Sequence, residues 1–202
     1  MRKFVWFVML VSLANLNCAL VVNRKQLHAN TAIQFPPKTE LKIGVLPLLS
    51  PTAGESKYAG YWGGKGTTKT LENSGQIVAD AITSALVGVE NVTLIERAQL
   101  EKILSEHELT MNGIINSPDF RVLGEILPVD ALIFGTVSAC YNWNETANWG
   151  AIVAFNARLV DVHTGKILFT LIGAMNEHNA APEEMAYRVA TDAIQELIRR
   201  SK

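Results

Sequence analysis

The stretch ALIFGTVSA, Ala131–Ala139, decides how the chain is read. It is an apolar run of strand length that starts just after Pro128. Downstream, IVAFNARLVDV, Ile152–Val162, partly alternates. His163-Thr164-Gly165-Lys166 is a tight turn, and KILFTLIGA, Lys166–Ala174, is the returning strand. Three strands in succession form a meander. Upstream, LKIGVLPLL, Leu41–Leu49, has the composition of a buried strand, and VTLI, Val92–Ile95, is a second, shorter one.

Between these strands the period changes to that of a helix. Ile77, Val78, Ala81, Ile82, Ala85 and Leu86 form one apolar stripe, with Ser74 as the expected N-cap and Gly88 as the stop. Leu100, Ile103 and Leu104 share a face of a second helix, after which Asn112-Gly113 marks a turn. Ser117-Pro118-Asp119 reads as the start of a third helix that stops at Pro128. Pro182-Glu183-Glu184 opens a last one, carried by Ala186, Val189, Ala190, Ala193, Ile194, Leu197 and Ile198. The expected order is β-α-β-α-α-β-β-β-α, an α/β (α+β) fold with helices packed on a mixed sheet.

The 202 residues suffice for one domain with a real core. With 49% hydrophobic and 18% charged residues, the chain is globular in composition. A net charge of -1 without Lys/Arg runs argues against nucleic acid and against a polybasic membrane patch. Residues 1–22 read as an export signal: Arg2 and Lys3 precede the apolar run Phe4–Ala14. Three exits stay open. Ser12-Leu13-Ala14 offers small residues for cleavage, Cys18 is the lipidation candidate, and Phe4–Val22 approaches the length of an uncleaved anchor. Residues 23–40, polar and with Pro36-Pro37, read as a flexible tether, and 41–202 as the domain. The cysteines are Cys18 and Cys140. Loss or lipidation of Cys18 excludes an internal disulfide, so the core must carry stability. Cys140 reads as a half-buried strand thiol.

The segment YAGYWGGKGTTKT, Tyr58–Thr70, resembles a phosphate loop at first sight. The chemistry needs Gly-x-x-x-x-Gly-Lys-Ser/Thr directly between a strand and a helix. Here Gly64-Lys65 is followed by Gly66, and Lys69-Thr70 is preceded by Thr68. Pro51–Thr70 therefore reads as a long aperiodic loop, and nucleotide binding is the least favoured reading. Tyr58, Tyr61 and Trp62 within it are candidate partner contacts, since aromatics anchor interfaces. His28, His107, His163 and His178 show no metal-ligand spacing, and no Gly-x-Ser-x-Gly or catalytic triad pattern occurs. Glu96-Arg97, at a strand-to-helix handover, reads as a structural ion pair or helix start, with a subunit contact as the functional alternative. The sequons at Asn91 and Asn144 matter only in a eukaryotic cell. No catalytic, metal or cofactor-binding residue is assigned.

Three segments in this order, VTLIERAQLEKILSEHELTMNGIIN, LGEILPVDALIFGTVSACYN and ARLVDVHTGKIL, resemble the CsgG-like family of bacterial envelope proteins. Glu96-Arg97, Gly113, Asp130, Gly135-Thr136-Val137 and Asp161-Val162-His163-Thr164-Gly165-Lys166 carry the likeness. The resemblance implies export, lipidation in many members, and a non-enzymatic role in assembly, with envelope proteins or further copies of the chain as partners. It also implies a fold similar to the lipoprotein activators of penicillin-binding proteins and to the amino-terminal domain of TolB. The family's curli channel adds two long membrane hairpins per subunit. Tyr141–Gly150 is too short and polar for a spanning pair, and the residues between Gly173 and Glu183 leave no room for a second. The expected function is therefore that of a periplasmic, outer-membrane-associated protein that works by protein contacts, without a pore. Regulation of a peptidoglycan synthase is the alternative, weakened by the short tether.

Overall fold

The computed structural model describes residues 24–59, 65–110, 120–145 and 148–201. Among them run eight strands and four helices. The strands are β1 (Arg24–Thr31), β2 (Leu41–Val45), β3 (Gly54–Ala59), β4 (Lys65–Thr70), β5 (Val92–Ile95), β6 (Ala131–Glu145), β7 (Asn148–Asp161) and β8 (Ile167–His178). The helices are α1 (Ser74–Leu86), α2 (Arg97–Glu106), α3 (Phe120–Ile126) and α4 (Pro182–Arg200). Cys18, Tyr61, Trp62, the Asn112-Gly113 turn and the Ser117-Pro118-Asp119 helix start lie outside the described residues.

One mixed sheet holds all the strands in the order β1-β8-β7-β6-β2-β5, with β4 also on β6 and β3 on β4. The meander β6-β7-β8 is antiparallel. β2 lies parallel to both β6 and β5. β6 is long enough to use one flank twice. Ala131–Ile133 face β2, and Tyr141–Glu145 face β4.

Alternation along these strands sends side chains to two cores. Ile43, Val45, Ile133, Val153, Phe155, Leu159, Phe169 and Leu171 are buried under α1 and α4, against Val78, Ile82, Met185, Val189 and Leu197. Leu132, Phe134, Val160 and Val162 point the other way and pack with Leu100, Leu104 and Leu123 of α2 and α3. Each fully buried Phe or Leu removes enough apolar surface to contribute roughly 1.5–3 kcal/mol.

Two motif residues prove to be turn and strand chemistry. The Asp161 carboxylate accepts the backbone N–H of His163 (2.9 Å) and Thr164 (2.7 Å), which closes the β7–β8 turn. Gly165 takes φ 69° there, a conformation glycine adopts without strain. Asp130 Oδ2 accepts the Lys42 N–H at 2.8 Å, tying the start of β6 to β2.

Four expectations need correction. The tether does not exist as such: from Arg24 onward the chain is an edge strand, antiparallel to β8. Ala29 and Phe35 are each 1% exposed, and Phe35 meets the Phe169 ring edge-on at 5.4 Å. Such a strand needs apolar side chains on one face only, so it reads as polar. The loop Pro51–Thr70 contains the β3–β4 hairpin, whose register runs from Gly54↔Thr70 to Ala59↔Lys65. Tyr141–Gly150 is not a loop either; β6 and β7 continue as paired strands through Glu145↔Asn148. Lastly, α1 is capped by Asn73 in the left-handed conformation (φ 55°), and Ser74 is its first helical residue. The Ser74 hydroxyl is buried without a hydrogen-bond partner.

Candidate interaction surface

Above the helix-covered part of the sheet, the strands continue as an arm in the order β3-β4-β6-β7-β8. Little of the arm is buried. Every residue of β3 is exposed, and in β4 only Gly66 is buried. Its shape is held by ladders and by aromatic rings laid on glycines. Tyr58 pairs across strands with Gly66, and a Cβ at Gly66 would fall 2.2 Å from the Tyr58 ring. Trp143 pairs with Gly150 in the same way, 2.7 Å from such an atom. The same device occurs once in the core, where Phe155 covers Gly173. A glycine opposite an aromatic gives the ring a flat seat and pins the register.

Registers place Tyr58, Tyr141, Trp143 and Glu145 on the arm face turned away from α1 and α4. The His178 ring stands edge-on to Trp143 at 4.7 Å. Trp149 pairs with Asn144 on the opposite face and is 45% exposed; Tyr58 is 38% exposed. Burial against its neighbours, then the charge of Glu145 and the nearby Tyr141, push the Tyr58 hydroxyl above its ordinary pKa, so it stays a neutral donor at physiological pH.

The predicted contact residues fall in different places. Tyr58 lies on the arm. Glu96 occupies the N-cap position of α2 without a side-chain capping bond. Arg97 turns inward: its Nη2 donates to Asp80 Oδ1 of α1 at 2.6 Å, and its Nε to the Val45 carbonyl at 3.4 Å. This ties α2 to α1 and the end of β2. Tyr141, Trp143, Trp149 and His178 were missed as a group. Their signal is the alternation in Tyr141-Asn142-Trp143-Asn144, which a two-residue period identifies as strand.

Lys65 and Lys69 are residues of β4, inside an antiparallel ladder with β3 and β6 rather than directly between a strand and a helix. Cys140 is fully buried. Burial, and then the Glu183 carboxylate, push its thiol to about 11, so it remains protonated and inert at neutral pH. Among the described residues no cluster of His, Cys, Asp or Glu has metal-holding geometry. No helix among them is long and apolar enough to cross a membrane. An open cleft of about 520 Å³ lies where the arm meets the helices, lined by Gly54, Glu55, Lys69, Glu72, Ile77 and Glu183 among others.

The family profile described as "Curli production assembly/transport component CsgG" matches residues 22–189. The chain belongs to the CsgG family. The match begins just ahead of β1, in keeping with that strand being part of the domain. No curated protein matches the chain by sequence. Among solved structures, the PelC dodecamer from Paraburkholderia phytofirmans superposes with a TM-score of 0.55 at 11% identity, covering 86% of this chain and 97% of that one. Lipoprotein GNA1162 from Neisseria meningitidis gives 0.53 at 20% identity, covering 79% and 99%. At these identities the likeness is one of fold. The LpoB carboxy-terminal domain from Salmonella enterica reaches only 0.41 and carries no argument for a synthase regulator.

Proposed function

We propose that this CsgG-family protein is an exported, non-enzymatic envelope protein that works by protein–protein contact in outer-membrane assembly or secretion, and that copies of it associate with one another. The observation that carries this reading is the arm. It projects the open flank of β3 and exposed aromatic rings, and its side chains add little to either core. Paired strands that bury so little are maintained for what they touch. The assembled state of the PelC relative supports self-association. Family membership supports a role in assembly or transport.

Attachment at the amino terminus completes the proposal. β1 enters the sheet at the level of the arm, because Arg24 pairs with Asn176, which pairs with Ile152. Cys18 stands six residues before Arg24 in the sequence, so a lipid on it would hold the arm-level end of β1 close to the membrane. Mass spectrometry of the mature amino terminus tests attachment: a diacylated Cys18 is expected, and an unmodified terminus elsewhere removes it. In-cell crosslinking followed by light scattering on the purified chain tests the main reading. The expected result is an oligomer with crosslinks to envelope proteins; a monomer without crosslinks contradicts it.

A further inference from the structure

β3 (Gly54–Ala59) closes the arm on one side. Its ladder with β4 takes one flank, and among the described strands nothing pairs with the other. All six of its residues are exposed. Along such a flank every second residue turns its N–H and C=O outward, a template for one more strand. The register rows fix the two faces. Glu55 and Lys57 point to the side of α1 and α4, where Glu55 lines the cleft with Ile77 and Glu183. Gly54, Ser56 and Tyr58 point to the other side, with Tyr141 and Trp143.

We propose that this flank binds the same flank of a second copy, antiparallel about a two-fold axis at Ser56. This rests on the self-association proposed above and names its surface. A two-fold that joins two such edges runs perpendicular to the sheet, so each face continues across the contact and the axis passes through a residue paired with itself. Two such registers keep five residues of β3 paired, centred on Ser56 or on Lys57. Centred on Lys57, the lysine opposes its own copy, and like charges directly opposed are destabilising. Centred on Ser56, Glu55 of each copy lies opposite Lys57 of the other, and such pairs are favourable. Among the described residues of one copy neither Glu55 nor Lys57 has an ion-pair partner. A lysine on an edge ordinarily repels an incoming strand. Glu55, two residues earlier on the same face, turns that repulsion into a match for this register.

Gly54 fits the same register. Tyr58 lies on Gly66 and Trp143 on Gly150, and at both glycines an added Cβ would strike the ring. At Gly54 an added Cβ meets nothing within 4 Å, and the backbone there is ordinary strand. Nothing in one copy requires a glycine at this position. In the pair centred on Ser56, Gly54 lies directly opposite Tyr58 of the other copy and on the same face. Each Tyr58 ring then sits between two glycines, Gly66 of its own chain and Gly54 of the other, which extends the seating used elsewhere in the arm. The Gly54 end of β3 is the one beside α1 and α4. Antiparallel pairing therefore keeps the two helix-covered halves apart, at opposite ends of the contact.

Crosslinking and light scattering on the full chain test the contact. Ser56→Cys stands on the axis, and directly opposed residues of an antiparallel pair are close enough for a disulfide. Mild oxidation should link this variant into dimers. The parent chain is the control for Cys18, and Thr93→Cys on β5 the control for chance collision. Glu55→Lys and Lys57→Glu each oppose like charges at both pairs and should weaken association about tenfold. The two exchanges combined restore opposite charges and should recover it. Gly54→Val should weaken association while the unfolding of the dilute monomer stays unchanged. An oligomer that neither crosslinks through Ser56→Cys nor responds to the charge exchanges overturns this contact and leaves self-association standing. A monomer at every concentration overturns both. Linkage of Ser56→Cys in cells to a different envelope protein, and not to its own kind, gives the flank another occupant and overturns the contact.

Discussion

The two ends of β6 belong to different kinds of structure. At Ala131–Phe134 every side chain is buried, alternately under α1 and α4 or under α2 and α3. At Tyr141–Glu145 the same strand has β4 and β7 for neighbours and is only partly covered. The lower half is held by burial on both faces, which constrains residue identity by volume. The arm is held by ladders and ring-on-glycine seats, so its exposed side chains are available for contacts. Stability should therefore concentrate in the lower half and assembly in the arm.

The largest expected effect breaks the lower half. Phe155→Ala removes a ring 2% exposed that covers Gly173 beside Val189, and should cost about 3–5 kcal/mol in chemical denaturation. A loss near that of a surface site would show that the core is not where stability resides. Next, Arg97→Ala removes the tie to Asp80 and the Val45 carbonyl. Asp80 is half exposed, so the cost should be only about 1 kcal/mol, with the oligomeric state unchanged. An assembly defect with intact stability would support the subunit-contact role for this residue.

Asp161 gives a test dependent on pH. Burial raises its pKa, but the hydrogen bonds from Thr164 and His163 outweigh that and hold it below its ordinary 3.8. Its contribution is present above that value and lost as pH falls through the lowered one. Asp161→Asn should cost about 1 kcal/mol at neutral pH, and the gap to wild type should close well below pH 3.8. A gap that persists in acid would mean that the turn depends on shape rather than charge.

What was legible in the sequence follows the same division. The meander, α1, α2 and α4 bury apolar stripes, and periodicity finds such stripes. β1 was hidden because Leu27 and Ala29 are its only apolar side chains. β3 and β4 were hidden because Gly54–Ala59 and Lys65–Thr70 bury almost nothing; pairing with β6, not burial, makes them strands. Of the candidate contacts, Tyr58 stands on the arm, whereas Arg97 is taken up by Asp80. The Trp143–His178 pair joins residues 35 apart in sequence, which no local pattern reveals.

The smallest effect on stability should accompany the largest on assembly. Trp149→Ala removes an exposed ring of the arm that pairs with Asn144 rather than with a glycine, and should change unfolding free energy by no more than about 1 kcal/mol. Light scattering on the full chain, run beside this variant at equal concentration, tests the division most directly. The account predicts an oligomer for the wild type and a smaller species for the variant, with nearly equal melting temperatures. A variant that assembles as the wild type does, or a wild type that is monomeric throughout, contradicts it.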